Sequence, residues 1–361
     1  MSRRIMVRSL AIGGGAPVSV QTMANADPHS YEACLAQLRA FEKAGADLAR
    51  YTVPDREAAA VLARLREVSR IPLVADIHFD YRLAVACAEA GIDKIRINPG
   101  NIGSPDRVRA VAGACRKAGI PIRIGVNAGS LQKDLLEKYG SPTPEALVES
   151  AISEAGMLER SDFSDIVISI KASSVPDMIR ACRMLREKTD YPLHLGVTEA
   201  GGGNAALVKG SVGIGTLLAE GIGDTIRVSL SEDPVKEVEA GLLILKALRL
   251  RGGVDIVSCP TCGRTEVDVI EVSRALSARY GAVSLPPDRT VRAAVMGCVV
   301  NGPGEAREAD VGIAGGKNQW LLFKKGEIVE KLPPEEALPR MICEIDRLLE
   351  SRGAVPPETD I

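Results

Sequence analysis

Three observations predict the fold class, which is α/β: a (β/α)8 TIM-type barrel followed by a smaller α+β domain. A phrase made of an apolar helix, a glycine and a β-rich run recurs along the first 230 residues, for example as KAGADLARYTV and EAGIDKIRINPG. Eight such β-rich runs fit into about 250 residues, which are the strand number and the length typical of a (β/α)8 barrel. After Arg251-Gly252-Gly253 the pattern changes to short strands and two longer helices.

The eight β-rich runs are the predicted strands of the barrel. In each phrase the glycine suits the left-handed backbone position after a helix, and the run that follows suits a buried parallel strand. The runs cover residues 18–23, 47–53, 72–79, 94–100, 121–127, 165–173, 192–201 and 224–231. Helical patterns of 10 to 20 residues separate them, and the last pattern has Pro234 in its first turn, as helices often do.

A doubly wound open sheet is the alternative to the barrel. Such sheets usually have fewer strands and a glycine-rich phosphate loop after the first strand. Here the glycine run, residues 13–15, comes before the first predicted strand, and its composition suggests a hairpin turn. The pattern therefore favours the barrel.

The C-terminal segment predicts a separate α+β domain. Its strand patterns lie at residues 292–300, 309–316 and 319–332, and its helical patterns lie at residues 266–281 and 334–351. Within the last strand pattern, Lys325-Gly326-Glu327 has the composition of a hairpin turn. We therefore predict a barrel domain at residues 1–252 and a second domain at residues 253–361.

Composition and charge exclude several classes of protein. The formal net charge is −2 and aromatic residues make up 3% of the chain, so no nucleic-acid surface is expected. No run approaches the roughly 18 apolar residues that span a bilayer, so no membrane association is expected. The basic N-terminus lacks the apolar segment of a signal peptide. We therefore expect a cytoplasmic protein.

The eight cysteines fall into two groups. In alanine- and leucine-rich helical patterns a cysteine usually acts as a small buried hydrophobic residue, and five cysteines lie in such patterns: Cys34, Cys87, Cys115, Cys182 and Cys343. Cys259, Cys262 and Cys298 lie among proline and glycine instead. Without an export signal, metal ligation explains these three better than a disulfide framework does.

The segments CPTCGRT and MGCVVNGPGEA together predict a metal centre. A Cys-x-x-Cys turn brings the thiolates of Cys259 and Cys262 to one ion or cluster, and Cys298 adds a third thiolate. Glu305 offers an oxygen ligand in a segment that contains no histidine. The spacing favours an iron–sulfur cluster, but it leaves open a zinc ion or unmetallated redox thiols.

Polar residues at the strand ends predict an anion site at the barrel mouth. In such barrels the chemistry lies at the C-terminal ends of the strands, where inward-facing residues alternate with residues that pack under the helices. The residues concerned are the pairs Asp76/His78, Arg96/Asn98, Arg123/Asn127, Ser169/Lys171 and Arg227/Ser229, together with Arg50, Thr198 and Glu199. Four arginines and one lysine converging there indicate a polyanion, and guanidinium forks suit a diphosphate.

Each of these residues also has a simpler explanation. A single strand-end arginine can be exposed or ion-paired, His78 can be a satisfied core histidine, and Glu199 can pair with an arginine. An unpaired buried charge is costly, however, so five cations at matched strand positions favour the anion site.

Seven motifs stand out along the chain: VQTMANAD, DIHF, KIRINPGNIG, LGVTEAG, GIGDTIRVSLSEDP, CPTCGRT and MGCVVNGPGEA. Together they resemble one known family, the 4-hydroxy-3-methylbut-2-enyl diphosphate synthases of the non-mevalonate isoprenoid pathway. The resemblance covers nearly the whole chain and is to the short bacterial form, in which the cluster domain directly follows the barrel. Thr22 and Ala24 depart from the expected QSMT, which affects no proposed ligand.

This resemblance implies an iron–sulfur oxidoreductase. It would convert 2-C-methyl-D-erythritol 2,4-cyclodiphosphate into 4-hydroxy-3-methylbut-2-enyl diphosphate by a two-electron reductive ring opening with loss of water. The implied ligands of a [4Fe–4S] cluster are Cys259, Cys262, Cys298 and Glu305. The implied substrate ligands are Arg50, Arg96, Arg123, Lys171, Arg227 and Ser229 at the diphosphate, and Asn127, Thr198 and Glu199 at the carbon skeleton. Our hypothesis makes Glu199 the proton donor to the leaving hydroxyl, and Glu305 the ligand that gives way to the substrate oxygen.

The resemblance also implies partners. Flavodoxin or ferredoxin would supply electrons. Because the second domain follows the last barrel helix, its linker starts on the N-terminal side of the barrel, far from the mouth. We therefore expect a homodimer in which the cluster domain of each chain caps the barrel of the other. Two other functions stay open, namely a zinc-supported barrel that binds a pterin or sugar phosphate, and a non-enzymatic binding protein with a zinc ribbon.

Overall fold

A computed structural model describes residues 1–298, 306–317 and 319–357 of the chain. The chain divides into two compact units, Met1–Leu248 and Arg249–Ile361. In the described residues, no helix combines the length and apolar character that a bilayer crossing requires.

The first unit is a nearly closed parallel barrel, so the predicted fold class is confirmed. After a short hairpin of β1 (Ile5–Val7) and β2 (Leu10–Ile12), its strands are β3 (Ser19–Met23), β4 (Leu48–Thr52), β5 (Leu73–Asp76), β6 (Lys94–Ile97), β7 (Ile122–Asn127), β8 (Ile166–Lys171), β9 (His194–Leu195) and β10 (Thr225–Ile226). Hydrogen bonds join β8 back through β7, β6, β5, β4 and β3 to β10 and β9. A single parallel bridge between Ile168 on β8 and Leu193, the residue before β9, brings the two ends of this order together and leaves the ring nearly closed.

Helices alternate with the barrel strands. They are α1 (Tyr31–Ala44), α2 (Arg56–Val68), α3 (Tyr81–Glu89), α4 (Pro99–Ile102), α5 (Pro105–Ala118), α6 (Lys133–Tyr139), α7 (Pro144–Glu159), α8 (Val175–Lys188), α9 (Gly203–Ala219) and α10 (Pro234–Ala247). The start of α10 follows the predicted pattern, with Pro234 in the first turn and Asp233 as the cap that accepts from the Val235 amide over 2.9 Å.

The seventh and eighth strands are shorter than predicted. Regular pairing in β9 and β10 covers two residues each, although the patterns extended over residues 192–201 and 224–231. Beyond these residues single hydrogen bonds continue, such as the one from the Arg227 amide to the Leu195 carbonyl over 2.9 Å. The apolar pattern continues past the regular ladder because Gly196, Val197 and Val228 are still buried.

The prediction for the glycine run was wrong. The hairpin turn lies at residues 8–9, between β1 and β2, and the glycines follow β2. Gly13, Gly14 and Gly15 all have positive φ, and a Cβ on Gly13 would lie 2.3 Å from the carbonyl oxygen of Arg3. Glycine is therefore required here because two backbone segments cross too closely for a side chain to fit.

The second unit is an α+β layer. Its sheet has the order β11 (Val254–Ser258), β12 (Val291–Met296), β13 (Val311–Gly316), β14 (Gln319–Lys324) and β15 (Glu327–Leu332). The described residues of this unit also form the helices α11 (Val269–Tyr280) and α12 (Pro334–Ser351). The first three strands are parallel and the last two pair antiparallel. Lys325 and Gly326, both at positive φ, form the predicted hairpin turn. β11 was not predicted.

Four of the five helical cysteines are buried as expected, namely Cys34, Cys87, Cys115 and Cys182. Cys343 is exposed, so that prediction was wrong. Its helix, α12, buries Met341 and Ile345 four residues apart, and Cys343 falls between them on the other side of the helix.

Candidate active site

A polar cavity of about 150 Å³ lies at the C-terminal ends of the barrel strands. It is lined by Met23, Arg50, Asp76, His78, Arg96, Asn127, Ser169, Lys171, Thr198 and Arg227. Six of these ten residues belong to the predicted substrate ligands. The cavity is therefore rich in cations, as the strand-end pattern indicated.

Asp76 holds two of the cavity arginines. It is paired in register with Arg96 on the neighbouring strand, and Arg96 Nη1 donates to Asp76 Oδ1 over 3.1 Å. Asp76 Oδ2 lies 3.6 Å from Arg50 Nε. Burial alone would raise the pKa of Asp76, but the charges of Arg50 and Arg96 outweigh it and bring the pKa to about 2. Asp76 is therefore a fixed anion that hydrogen-bonds the guanidinium group of Arg96 and forms a longer ion pair with that of Arg50.

Glu237 holds the third cavity arginine. Arg227 Nε donates to Glu237 Oε2 over 3.1 Å, and Arg227 Nη2 donates to Oε1 over 2.9 Å. Glu237 comes from helix α10, and its side chain is 2% exposed. This bidentate pair fixes the plane of the guanidinium group.

In the described residues Lys171 forms no ion pair. Its side chain occupies space that is open because residue 196 is a glycine. A Cβ on Gly196 would lie 2.9 Å from Lys171 Nζ and 2.7 Å from the Arg227 carbonyl oxygen. Burial, and then the charges of Arg227 and Arg50, lower the pKa of Lys171 well below its usual value. An incoming anion would reverse this effect by stabilising the charged amine.

Gly125 gives Arg96 room in the same way. It lies between Arg123 and Asn127 on the inward side of β7, and a Cβ there would lie 2.5 Å from Arg96 Nε. Arg96 Nη2 also donates to the Gly125 carbonyl over 3.2 Å. Two inward glycines therefore allow two long cationic side chains to lie across the barrel.

Arg123 belongs to a deeper layer of the barrel. It is 1% exposed, it does not line the cavity, and its Nη1 donates to Gln21 Oε1 over 3.1 Å. Lys94 and His194 are fully buried inward-facing residues whose pKa values burial lowers well below normal, with Arg123 as the next cause. Beneath the mouth, the barrel interior is thus polar and cationic rather than aliphatic.

Two further predicted residues lie outside the cavity lining. Ser229 is half-buried, and Glu199 is exposed with a φ of 53°. A non-glycine residue with positive φ is uncommon and often marks a functional loop. In the described part of the chain Glu199 forms no ion pair with an arginine, so the simpler explanation for Glu199 has no support.

The other simpler explanations have different outcomes. The cavity arginines are indeed ion-paired, yet they still face the cavity. His78 is not a core residue, because its side chain is 47% exposed and its Nε2 lies 3.9 Å from Asp76 Oδ2.

Sequence reasoning missed Glu237, Lys94 and His194. Lys94 shares the strand parity of Arg96, so the inward spacing could have found it. Glu237 lies within an ordinary amphipathic helix pattern, and only the tertiary structure brings it to Arg227.

Cys259 and Cys298 lie just beyond the C-terminal ends of two neighbouring strands in the second unit's sheet. β11 ends at Ser258 and its register partner on β12 is Val295, so Cys259 and Cys298 follow neighbouring parallel strand ends. The Gly297 amide donates to Cys259 Sγ over 3.1 Å, and the Glu266 amide donates to the Gly297 carbonyl over 3.1 Å. The turn that contains Cys262 is thereby tied to the segment before Cys298.

The donor chemistry at these strand ends fits a thiolate-bound cluster. An amide that donates to a cysteine sulfur is a usual neighbour of cluster ligands. Hydrogen bonds from the backbone and side chain of Arg264 lower the pKa of the Cys262 thiol, which favours the thiolate. Across the described ranges, no three His, Cys, Asp or Glu side chains are gathered closely enough to hold a metal ion, and Glu305 lies outside those ranges.

Comparison with curated proteins identifies close relatives. A chain from Ruminiclostridium cellulolyticum named 4-hydroxy-3-methylbut-2-en-1-yl diphosphate synthase (flavodoxin) is 53% identical over 348 residues, which is 96% of this chain and 98% of the relative. A Clostridium perfringens chain of the same name is 51% identical, over 96% of this chain and 99% of the relative.

Comparison with solved structures supports the barrel alone. Yersinia pestis dihydropteroate synthase in complex with a sulfonamide drug superposes with a TM-score of 0.50 at 14% identity, over 68% of this chain and 99% of that chain.

Family models match both parts of the sequence: the GcpE TIM-barrel domain at residues 2–242 and the GcpE protein C-terminal domain at residues 255–347. The chain therefore belongs to the GcpE family.

Proposed function

We propose that the protein converts 2-C-methyl-D-erythritol 2,4-cyclodiphosphate into 4-hydroxy-3-methylbut-2-enyl diphosphate. The observation that carries the proposal is a cavity lined by four cations in a chain whose relatives carry the name of this synthase. The reaction takes up two electrons and two protons, breaks the bond between the ring carbon and a phosphate oxygen, and releases one water molecule. A reductant is therefore required, and the relatives' names include flavodoxin.

In this proposal the barrel residues bind and orient the substrate. Arg50, Arg96, Lys171 and Arg227 bind the diphosphate and stabilise the charge that develops on it as the ring opens. Asn127 and Thr198 contact the carbon skeleton. Arg123 supports the clamp from the layer below, and Ser229 and Glu199 reach the substrate from neighbouring loops.

The second unit is proposed to hold a [4Fe–4S] cluster. Cys259, Cys262 and Cys298 would be its thiolate ligands, and Glu305 its fourth and weakest ligand. Electron transfer is the chemistry that the bound cluster supplies. Glu199 is proposed to give a proton to the leaving hydroxyl oxygen. The domain division at residue 252 and the roles of the two domains are part of the same proposal.

A homodimer completes the proposal. Helix α10 follows the eighth barrel strand, so it ends at the barrel end opposite the mouth. A closed two-fold dimer would let the second unit of each chain serve the barrel of its partner.

The test begins with oxygen-free purification of the full chain. We expect brown protein with broad absorption near about 400 nm and stoichiometric iron and acid-labile sulfide. With reduced flavodoxin and the cyclic diphosphate, phosphorus NMR should show the linear product. Colourless protein containing zinc, or a cluster-loaded protein that leaves the cyclic diphosphate unchanged, would overturn the proposal.

A further inference from the structure

Glu237 lies on a helix, yet its carboxylate makes three hydrogen bonds at the barrel mouth. Two come from Arg227, and the third comes from the Leu230 amide, which donates to Oε1 over 3.0 Å. The start of α10 is itself anchored, because Thr22 Oγ1 on β3 donates to the Pro234 carbonyl over 3.3 Å. The fold therefore fixes the position of the Glu237 carboxylate.

The pair determines which part of Arg227 is left for a ligand. Glu237 engages Nε and one N–H of Nη2, so it leaves Nη1 and the second N–H of Nη2 for an anion in the cavity. A guanidinium group tied along one edge keeps a fixed plane, and a fixed plane is what recognition of phosphate oxygens needs.

The same carboxylate also fixes the loop after β10. Leu230 directly follows Ser229, so the hydrogen bond from the Leu230 amide restrains the backbone that carries Ser229. In barrels of this class the loops after the seventh and eighth strands often form the phosphate site. One buried acid thus orders two proposed diphosphate ligands.

We infer that Glu237 is a positioning residue of the diphosphate site, holding Arg227 and the Ser229 segment in the geometry that the anion requires. This inference rests on the proposed function, because it takes the cavity to be a diphosphate site. It assigns Glu237 no contact with the substrate.

A positioning role and a purely electrostatic role predict opposite effects. A negative charge beside an anion site repels the anion, so its removal alone would tighten binding. Loss of positioning would weaken binding, because Arg227 and the Ser229 segment would no longer keep the geometry that phosphate oxygens require. The sign of the change in affinity therefore distinguishes the two roles.

The experiment uses Glu237→Gln in the full, anaerobically purified protein, with inorganic pyrophosphate as the probe in titration calorimetry. We expect the Kd for pyrophosphate to rise about tenfold or more, and the KM for the cyclic diphosphate to rise with it. The control is Glu239→Gln, which changes an exposed acid on the same helix and should leave both values unchanged. Unchanged or tighter pyrophosphate binding in folded Glu237→Gln protein would overturn the inference.

A double-mutant cycle gives a second measurement. In an Arg227→Gln background, the effect of Glu237→Gln on pyrophosphate binding should be smaller, because only the part that acts through the Leu230 amide and the Ser229 segment remains. An undiminished effect in that background would contradict the positioning of Arg227. If Glu237→Gln does not fold, Glu237→Asp replaces it, since it keeps the charge but withdraws the carboxylate, and it should weaken binding in the same direction. Failure of the proposed function looks different: wild-type protein would then bind pyrophosphate normally and leave the cyclic diphosphate unchanged.

Discussion

Arg96 and Asp76 form an ion pair between neighbouring barrel strands, with 3.1 Å between Arg96 Nη1 and Asp76 Oδ1 and both side chains buried. Asp76 is 1% exposed and also lies 3.6 Å from Arg50 Nε. One carboxylate therefore compensates two cations that would otherwise repel each other. The free protein can thus keep a phosphate site assembled before the anion arrives.

Asp76→Asn should destabilise the barrel. It leaves two buried arginines without their anion, and breaking a buried pair typically costs about 3–5 kcal/mol. Urea unfolding followed by circular dichroism measures the loss. Added pyrophosphate should restore stability more in the variant than in the wild type. The control Asp162→Asn removes a fully exposed partner of Arg116 and should change stability little. Equal stability of Asp76→Asn and wild type would contradict the assigned role.

Glu154 should make stability depend on pH. Burial raises the pKa of Glu154 to about 8, although Gln132 donates to its Oε1 over 2.7 Å. In the unfolded chain the pKa is about 4.5, so between these values the folded state binds the extra proton. Stability is then full below about pH 4.5 and falls as pH rises towards 8, by up to about 1.4 kcal/mol per pH unit.

Glu154→Gln should remove that slope, because a neutral amide has no proton to lose. The measurement compares unfolding free energies of variant and wild type at pH 5 and pH 8, and the variant should gain stability relative to the wild type at the higher pH. Glu187→Gln, at an exposed position on α8, is the matched control. Parallel pH profiles for Glu154→Gln and wild type would refute this prediction.

Gly196→Ala should weaken anion binding. The added methyl group would lie 2.7 Å from a backbone oxygen and 2.9 Å from Lys171 Nζ, so Lys171 must leave its position. We expect pyrophosphate affinity to fall about tenfold or more. Gly215→Ala, where no atom lies within 4 Å of the new Cβ, should bind pyrophosphate like the wild type. The prediction fails if the two alanine variants bind equally well.

Glu199→Gln should depress turnover by about 10² or more, the usual scale of acid catalysis, while leaving the absorption spectrum of the purified protein intact. Steady-state kinetics with reduced flavodoxin measures the effect. Full activity in this variant would remove Glu199 from the role of proton donor.

Mixed dimers should test whether the active site is shared. Lys171→Ala chains lack a barrel ligand and Cys298→Ser chains lack a thiolate, so each homodimer should be inactive. A heterodimer has one intact composite site if the barrel and the second unit come from different chains. Tagged heterodimers should therefore recover activity. Inactive heterodimers of verified composition would argue against sharing.

The barrel and its cationic mouth followed from local patterns. The glycine that ends a helix, the apolar run after it and the period-two spacing of charges are properties of neighbouring residues, so Arg50, Arg96, Lys171 and Arg227 could be selected from the sequence alone. The limits of β9 and β10 could not, because the end of a hydrogen-bond ladder depends on where the adjacent strand turns away.

The amino-acid sequence by itself determined the fold class, the family and the cationic character of the site, since these depend on periodicity and on residue type. Only the tertiary structure decided which acids form ion pairs with which cations: Asp76 pairs with Arg50 and Arg96, and Glu237 pairs with Arg227. It also decided that Arg123 lies beneath the cavity and that Gly196 makes room for Lys171. The physical reason is that ion pairs and steric space depend on distances across strands and helices far apart in the chain, which no local pattern contains.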